Sequence, residues 1–231
     1  MALNDDLEEE VSEIFSSQWT TRDGKVVPDE NSINLGNDGI FLDATVLYAD
    51  LSDSTHLVDA YHSEFAAEVY NAFLRCSAKI IRAHGGSITA YDGDRIMAIF
   101  IGGYKNTTAA KVGLKINYAC EKIIKPAIRL QYPDTDYTLH HVVGIDTSKL
   151  LVSKTGIWGA NDLLWMGKAS NHAAKLSSLD HDYPTWITEA VYNCLNNECK
   201  ISPDGRPMWE ARTWRAMKNA TIYRSNWRWK I

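Results

Sequence analysis

At 231 residues, 45% hydrophobic and 23% charged, the chain has enough apolar mass to bury a core. It contains no apolar run near bilayer length, so no membrane span is expected, and a net charge of -5 argues against a protein whose main work is coating nucleic acid. The first ten residues carry five acids and no base, the reverse of a secretory leader, which predicts a cytoplasmic protein.

Leu3, Leu7, Val11, Ile14 and Phe15 recur at helical spacing on an acidic segment, predicting an amphipathic docking helix over 3–18. Residues 20–39 are rich in Gly, Asn and Asp and read as a linker, so the expected organisation is helix plus linker over 1–39 and one compact domain over 40–231. A strand over 40–49 ends at Asp50. One long helix is predicted from Thr55, with the stripe Leu57, Tyr61, Phe65, Val69, Phe73, Cys76 and Ile80, stopped by Gly85-Gly86. Strands over 87–91 and 95–101 flank Asp92-Gly93, a hairpin signal that sets Asp94 at the tip. A second helix over 107–125 is expected to end at Pro126. Strands over 137–145 and 150–153, a helix over 167–179, a strand over 185–187, a helix over 189–195 and strands over 208–215 and 220–224 follow. The order is that of an α+β protein, a ferredoxin-like βαββαβ core with C-terminal strand additions. Among the four cysteines no zinc-site spacing appears, and Cys76 and Cys120 fall on core-facing stripes as reduced apolar fillers.

Two carboxylates carry the chemistry. In a βαββαβ sheet the first strand and the hairpin are neighbours, so Asp50 and Asp94 can meet and hold divalent cations shared with substrate phosphates. Either residue alone reads more simply as an ordinary loop aspartate. The pair gains weight because Asp50, Leu51, Ser52, Asp53, Ser54 and Thr55 lead straight into a helix, whose free N–H groups suit a triphosphate.

Residues 45–55 (TVLYADLSDST) resemble the first strand and "FADIxGFT" run of class III nucleotidyl cyclases, and residues 85–102 (GGSITAYDGDRIMAIFIG) resemble that family's "GDxxMAxF" hairpin. Val143-Gly144-Ile145 is similar to its "VGI" strand, and residues 167–176 (GKASNHAAKL) to its "GxxVNxAxRL" helix. The likeness covers about 41–224. It implies metal ligation by Asp50 and Asp94 with the Leu51 carbonyl, ribose orientation by Asn171, and transition-state stabilisation by Lys175 in place of the family's arginine. It also implies triphosphate binding by the 52–55 loop and by Arg215 or Lys218. The cofactors would be two Mn2+ or Mg2+ ions, and the active site would form between the two chains of a homodimer.

Where the family's purine-selecting lysine and aspartate stand, this chain has Ala90 and Leu164, and Tyr48, Tyr91, Trp165 and Met166 add bulk nearby. A site that loses both base contacts has changed its substrate. These features resemble the pyrimidine cyclases of bacterial antiphage (Pycsar) systems. That resemblance implies UTP, favoured over CTP, as substrate, and a downstream effector that binds the cyclic nucleotide, with neither nucleic acid nor membrane as partner. The competing readings are an adenylate or guanylate cyclase of relaxed base choice, an inactive nucleotide-binding module and a diguanylate cyclase. A fourth is an RNA-binding protein using the seven Lys/Arg and interleaved Trp residues after position 205.

Overall fold

The computed structural model describes residues 2–231. In chain order the elements are α1 (Leu3–Ser16), β1 (Thr20–Asp23), β2 (Asp38–Ser52), α2 (Ser54–Ala60), α3 (Ser63–Ala83), β3 (Ser87–Asp92), β4 (Arg95–Phe100) and α4 (Lys105–Ala119). A π-helical turn (Cys120–Ile124) leads into α5 (Lys125–Gln131), then β5 (His140–Ile157), β6 (Ala160–Met166), α6 (Lys168–Leu176), β7 (Thr185–Thr188) and α7 (Glu189–Asn193). The chain closes with α8 (Asn197–Lys200), β8 (Glu210–Trp214), a 3-10 turn (Arg215–Met217) and β9 (Ala220–Ser225). Among the described residues no helix is long and apolar enough to cross a membrane.

Two compact units form. The smaller comprises the chain up to Asp43 together with Lys149–Gly167, and the larger Ala44–Ser148 together with Lys168–Ile231. In the smaller unit β1 runs parallel to the start of β2, and β6 folds back antiparallel on the end of β5. Asp38 ties this unit together by accepting from the Arg22 guanidinium and from the Asn34 backbone N–H. No residue of α1 is buried, and its apolar stripe lies open. β1 falls inside the expected linker. All four of its residues are exposed, so it carries no alternation for a sequence reading to detect.

In the larger unit the sheet order is β3-β4-β2-β5-β7-β9-β8. One face, with Leu47, Ala49, Leu51, Ile96 and Ala98, packs against Phe65, Val69 and Phe73 of α3 and Val112 and Ile116 of α4. On the other face α6 lies so close over β5 that a Cβ at Gly144 would sit 2.2 Å from the Ala173 carbonyl oxygen and 2.5 Å from the Ser177 nitrogen. A smaller cluster of Val142, Leu176, Trp186, Trp214 and Ile222 fills that side.

Several expectations are corrected. The single helix from Thr55 is broken at Tyr61, which turns extended, donates its hydroxyl to Asp136 at 2.7 Å and packs its ring among Phe65 and Tyr137. A tertiary aromatic cluster thus overrides a helical stripe. Pro126 does not end the second helix. The π-helical turn before it shifts the register so that the proline enters the first turn of α5, where its missing N–H costs little. The strands expected over 137–145 and 150–153 are one strand, β5, and β6, which carries Leu164, was not predicted from the residue pattern. Cys120 and Cys199 are buried, and burial pushes both thiols up, Cys199 to about 12, so they behave as inert core fillers.

Gly144→Ala should destabilise the protein by about 3 kcal/mol, because the obstructing atoms are backbone and only a shift of α6 relieves them; the urea midpoint measures it, and an unchanged midpoint would contradict the close approach. A second test concerns His141, 3% exposed, which burial holds neutral with its pKa pushed down from 6.5 to about 3. Unfolding frees this imidazole to bind a proton. Its contribution is therefore complete above about pH 6.5 and falls by up to about 1.4 kcal/mol per pH unit as acid is added towards pH 3. In His141→Leu that loss should be absent, visible as a smaller difference between the urea midpoints at about pH 7 and about pH 4.5.

Candidate active site

The site begins with strand alternation. Leu47, Ala49 and Leu51 face the helical core, so Tyr48 and Asp50 face the other way. Across β2 and β4 the register pairs Tyr48 with Met97 and Ala49 with Ile96, and across the hairpin Asp92 pairs with Arg95. Asp50 and Arg95 therefore share a face. Asp50 is 9% exposed, and its Oδ2 accepts from Arg95 Nε at 2.9 Å and from Nη2 at 2.6 Å. The guanidinium also stands 5.8 Å from the centre of the Tyr48 ring. Burial lifts the Asp50 carboxyl above its usual range, Arg95 opposes this only in part, and the charges of Asp94 and Asp92 push in the same direction as burial.

Asp94 sits in the turn that joins β3 to β4. The turn residues are Gly93 and Asp94, not Asp92-Gly93, because Asp92 already belongs to the ladder; Gly93 takes φ +60, a value suited to glycine. Asp94 is close enough for its charge to act on Asp50, and its Oδ2 is buried with no hydrogen-bond partner. The two carboxylates singled out in the sequence thus lie at one end of one sheet.

After Asp50 come Leu51, which is buried, Ser52 and Ser54, half-buried, and Asp53 and Thr55, exposed. Asp53 adopts the left-handed conformation at φ 58, ψ 29, and its Oδ2 lies 3.8 Å from His181 Nδ1. The helix that follows has seven residues, so the long helix dipole expected behind this loop is reduced to a short one.

Asn171 and Lys175 are exposed one turn apart on α6. The helix is pinned from beneath. His172 Nδ1 lies 3.0 Å from Oδ2 of Asp146, which is 1% exposed, while the Thr188 hydroxyl donates to the other Asp146 oxygen. The His172 ring meets Trp214 edge-on at 5.5 Å, and Lys175 Nζ reaches Met217 Sδ at 3.8 Å. Met217 stands between Arg215 and Lys218, both exposed in the turn from β8 to β9, so the structure gathers Asn171, Lys175, Arg215 and Lys218 into one neighbourhood.

A β-bulge at Thr89 shifts the register so that Ala90 pairs with Met97 on the Asp50 face, whereas Tyr91 pairs with Ile96, turns to the opposite face and is 57% exposed. In the smaller unit, Leu164 on β6 is 44% exposed and Trp165 is buried at 8%, its indole N–H without a partner.

Among the described residues no group of three or more His, Cys, Asp or Glu could hold a metal alone. Two carboxylates, one with a buried orphan oxygen, nevertheless fit Mg2+ or Mn2+, which complete their coordination with water and substrate phosphates. The sequence reading missed Arg95 and the Asp146–His172 contact. The parity of two antiparallel strands could have found Arg95. Nothing local marks Asp146, whose partners lie 26 and 42 residues further along.

No protein-family model matches the chain. The adenylyl cyclase CyaB from P. aeruginosa superposes with a TM-score of 0.67 at 20% identity, over 81% of this chain and 95% of that one, and the fold is that of class III nucleotidyl cyclases. Over 100% of both chains the protein is 53% identical to a uridylate cyclase of Xanthomonas perforans, and likewise 46% identical to a uridylate cyclase of Burkholderia cepacia. The chain belongs to this uridylate cyclase family and is a nucleotidyl cyclase.

Proposed function

We propose that the chain closes UTP to 3',5'-cyclic UMP with release of pyrophosphate, with 40–231 as the catalytic domain. The observation that carries the reading is the convergence of Asp50 and Asp94, one with an unpartnered buried oxygen, at one end of the sheet. Pyrimidine choice is supported by the names of the full-length relatives and by Ala90 and Leu164, neither of which can hydrogen-bond a purine edge through its side chain.

Asp50 and Asp94, with the Leu51 carbonyl, would hold two Mn2+ or Mg2+ ions, whose chemistry there would be to make the ribose 3'-hydroxyl a better nucleophile and to neutralise charge at the α-phosphate. The 52–55 loop offers backbone N–H and hydroxyl donors to the triphosphate. Asn171 orients the ribose, and Lys175 sets a positive charge one turn away for the pentavalent transition state, as a point charge without an arginine's bidentate fork. Arg215 or Lys218 takes the terminal phosphates. Asp50 and Asp94 lie on β2 and on the β3–β4 turn, while Asn171 and Lys175 ride on α6 over β5 and β7. A homodimer that sets the first pair of one protomer against α6 of its partner would complete two sites. The product serves as a second messenger in antiphage defence, acting in the cytoplasm on an effector that binds cyclic nucleotides.

Asp50→Ala and Asp94→Ala should each lower turnover roughly a thousandfold or more with the circular dichroism spectrum unchanged; retention of turnover by both overturns the metal assignment. With all four nucleoside triphosphates and Mn2+ present, cyclic UMP should exceed cyclic AMP and cyclic GMP by about tenfold or more, a margin a missing base contact readily produces. Mass identification of the product decides this, and cyclic CMP or cyclic AMP as the main product defeats the UTP reading.

A further inference from the structure

The Asp50 carboxylate is already neutralised from within the chain. Arg95 delivers two N–H donors to a single oxygen of Asp50, and its side chain is 31% exposed, so it lies at the surface of the site with a route into solvent. Its position is dictated by the ladder. Arg95 opens β4 opposite Asp92 on the face that carries Asp50, and the Tyr48 ring flanks the guanidinium, so the side chain is steered onto the carboxylate. Asp94 contrasts with this: its buried oxygen has no protein donor. The cluster therefore pairs one carboxylate held by Arg95 with one whose buried oxygen no protein donor reaches.

A divalent ion cannot share that arrangement comfortably. Asp50 Oδ2 carries two short, charge-assisted hydrogen bonds, and a cation arriving at the same oxygen meets a fixed positive charge within a few ångströms in a place where solvent screens poorly. We propose that Arg95 is a resident counter-ion that keeps the Asp50–Asp94 site weak for free divalent metal and yields it when metal arrives together with nucleotide. The triphosphate supplies the negative charge that the bare site lacks. A guanidinium released from Asp50 then has phosphate oxygens to bind, for which its planar fork is well shaped. Metal loading is in this way coupled to substrate loading. Arg95 acts through Asp50 and is a positioning residue. The proposal rests on the assignment of Asp50 and Asp94 as metal ligands made above.

The test measures Mn2+ binding to the nucleotide-free, full-length protein by the electron paramagnetic resonance signal of free Mn2+, so no turnover is needed. Arg95→Gln should bind Mn2+ at least about tenfold more tightly than the native chain, because a unit positive charge beside the ion is gone. Arg95→Lys, which keeps the charge and loses the paired donors, should fall between the two. The gain should vanish in the double variant R95Q/D50N, which shows that it is exerted through Asp50. A non-cyclisable triphosphate should tighten Mn2+ binding strongly in the native chain and by several-fold less in Arg95→Gln. Equal Mn2+ affinity in the native chain, Arg95→Gln and Arg95→Lys, each with a native circular dichroism spectrum, overturns the counter-ion role. If that happens while Asp50→Ala and Asp94→Ala still abolish turnover, the cyclase reading stands and only the role of Arg95 falls.

Discussion

A carboxylate only 9% exposed at the end of a strand is costly to keep ionised, and in Asp50 two N–H donors of Arg95 offset that cost only in part. This ion pair orders the rest of the site. It holds the Asp50 carboxylate in place and leaves Asp94 beside it with an oxygen that no protein donor satisfies. A half-dry carboxylate pair of this kind interacts strongly with any cation that reaches it, because the surroundings screen so little. The same dryness makes the pair expensive when nothing is bound, and a resident guanidinium is a physical answer to that expense.

The scaffold holds the pair by close approach more than by bulk. Leu47, Ala49 and Leu51 anchor β2 in the core on one face and so force Tyr48 and Asp50 onto the other. The bareness of Gly144 lets α6 settle on β5, and the buried contact of Asp146 with His172 and Thr188 keeps that helix from rolling. Asn171 and Lys175 therefore stand on a helix clamped from below and from the side, by Trp214 and Met217, although both are themselves exposed. Groups that must meet a substrate are best carried on elements whose own freedom is spent elsewhere.

The nearness of the two carboxylates was legible because its signals are local: a hydrophobic run that ends in an acid, and a hairpin whose tip carries another. The βαββαβ order was legible for the same reason. What escaped detection depended on distant partners. The break at Tyr61 is made by Asp136 and Tyr137, seventy-five and more residues away, and in sequence its stripe is indistinguishable from a continuous helix. Pro126 was read as a stop because a π-helical turn has no sequence mark of its own. β1 is four exposed polar residues that become a strand only because β2 is there to pair with. The face that Tyr91 takes escaped detection because the bulge at Thr89, which decides the face of each following residue, cannot be read from composition.

That bulge has a bearing on which lengths of this arm can work. Ser87 and Ile88 are in step with Ile99 and Ala98, whereas Ala90, Tyr91 and Asp92 run one position out of step with them, and Thr89 absorbs the difference. It serves as a spacer between two reading frames of one ribbon. A chain shortened by a single residue here could still close its turn, but only by giving up the spacer. β3 would then run in one phase throughout, with Ser87 and Ile88 still opposite Ile99 and Ala98, and Ala90, Tyr91 and Asp92 still opposite Met97, Ile96 and Arg95. Loss of one residue at Thr89 is thus a mild variation, whereas loss of one nearer the turn uses up the spacer and moves the residues before it to the other face of the ribbon.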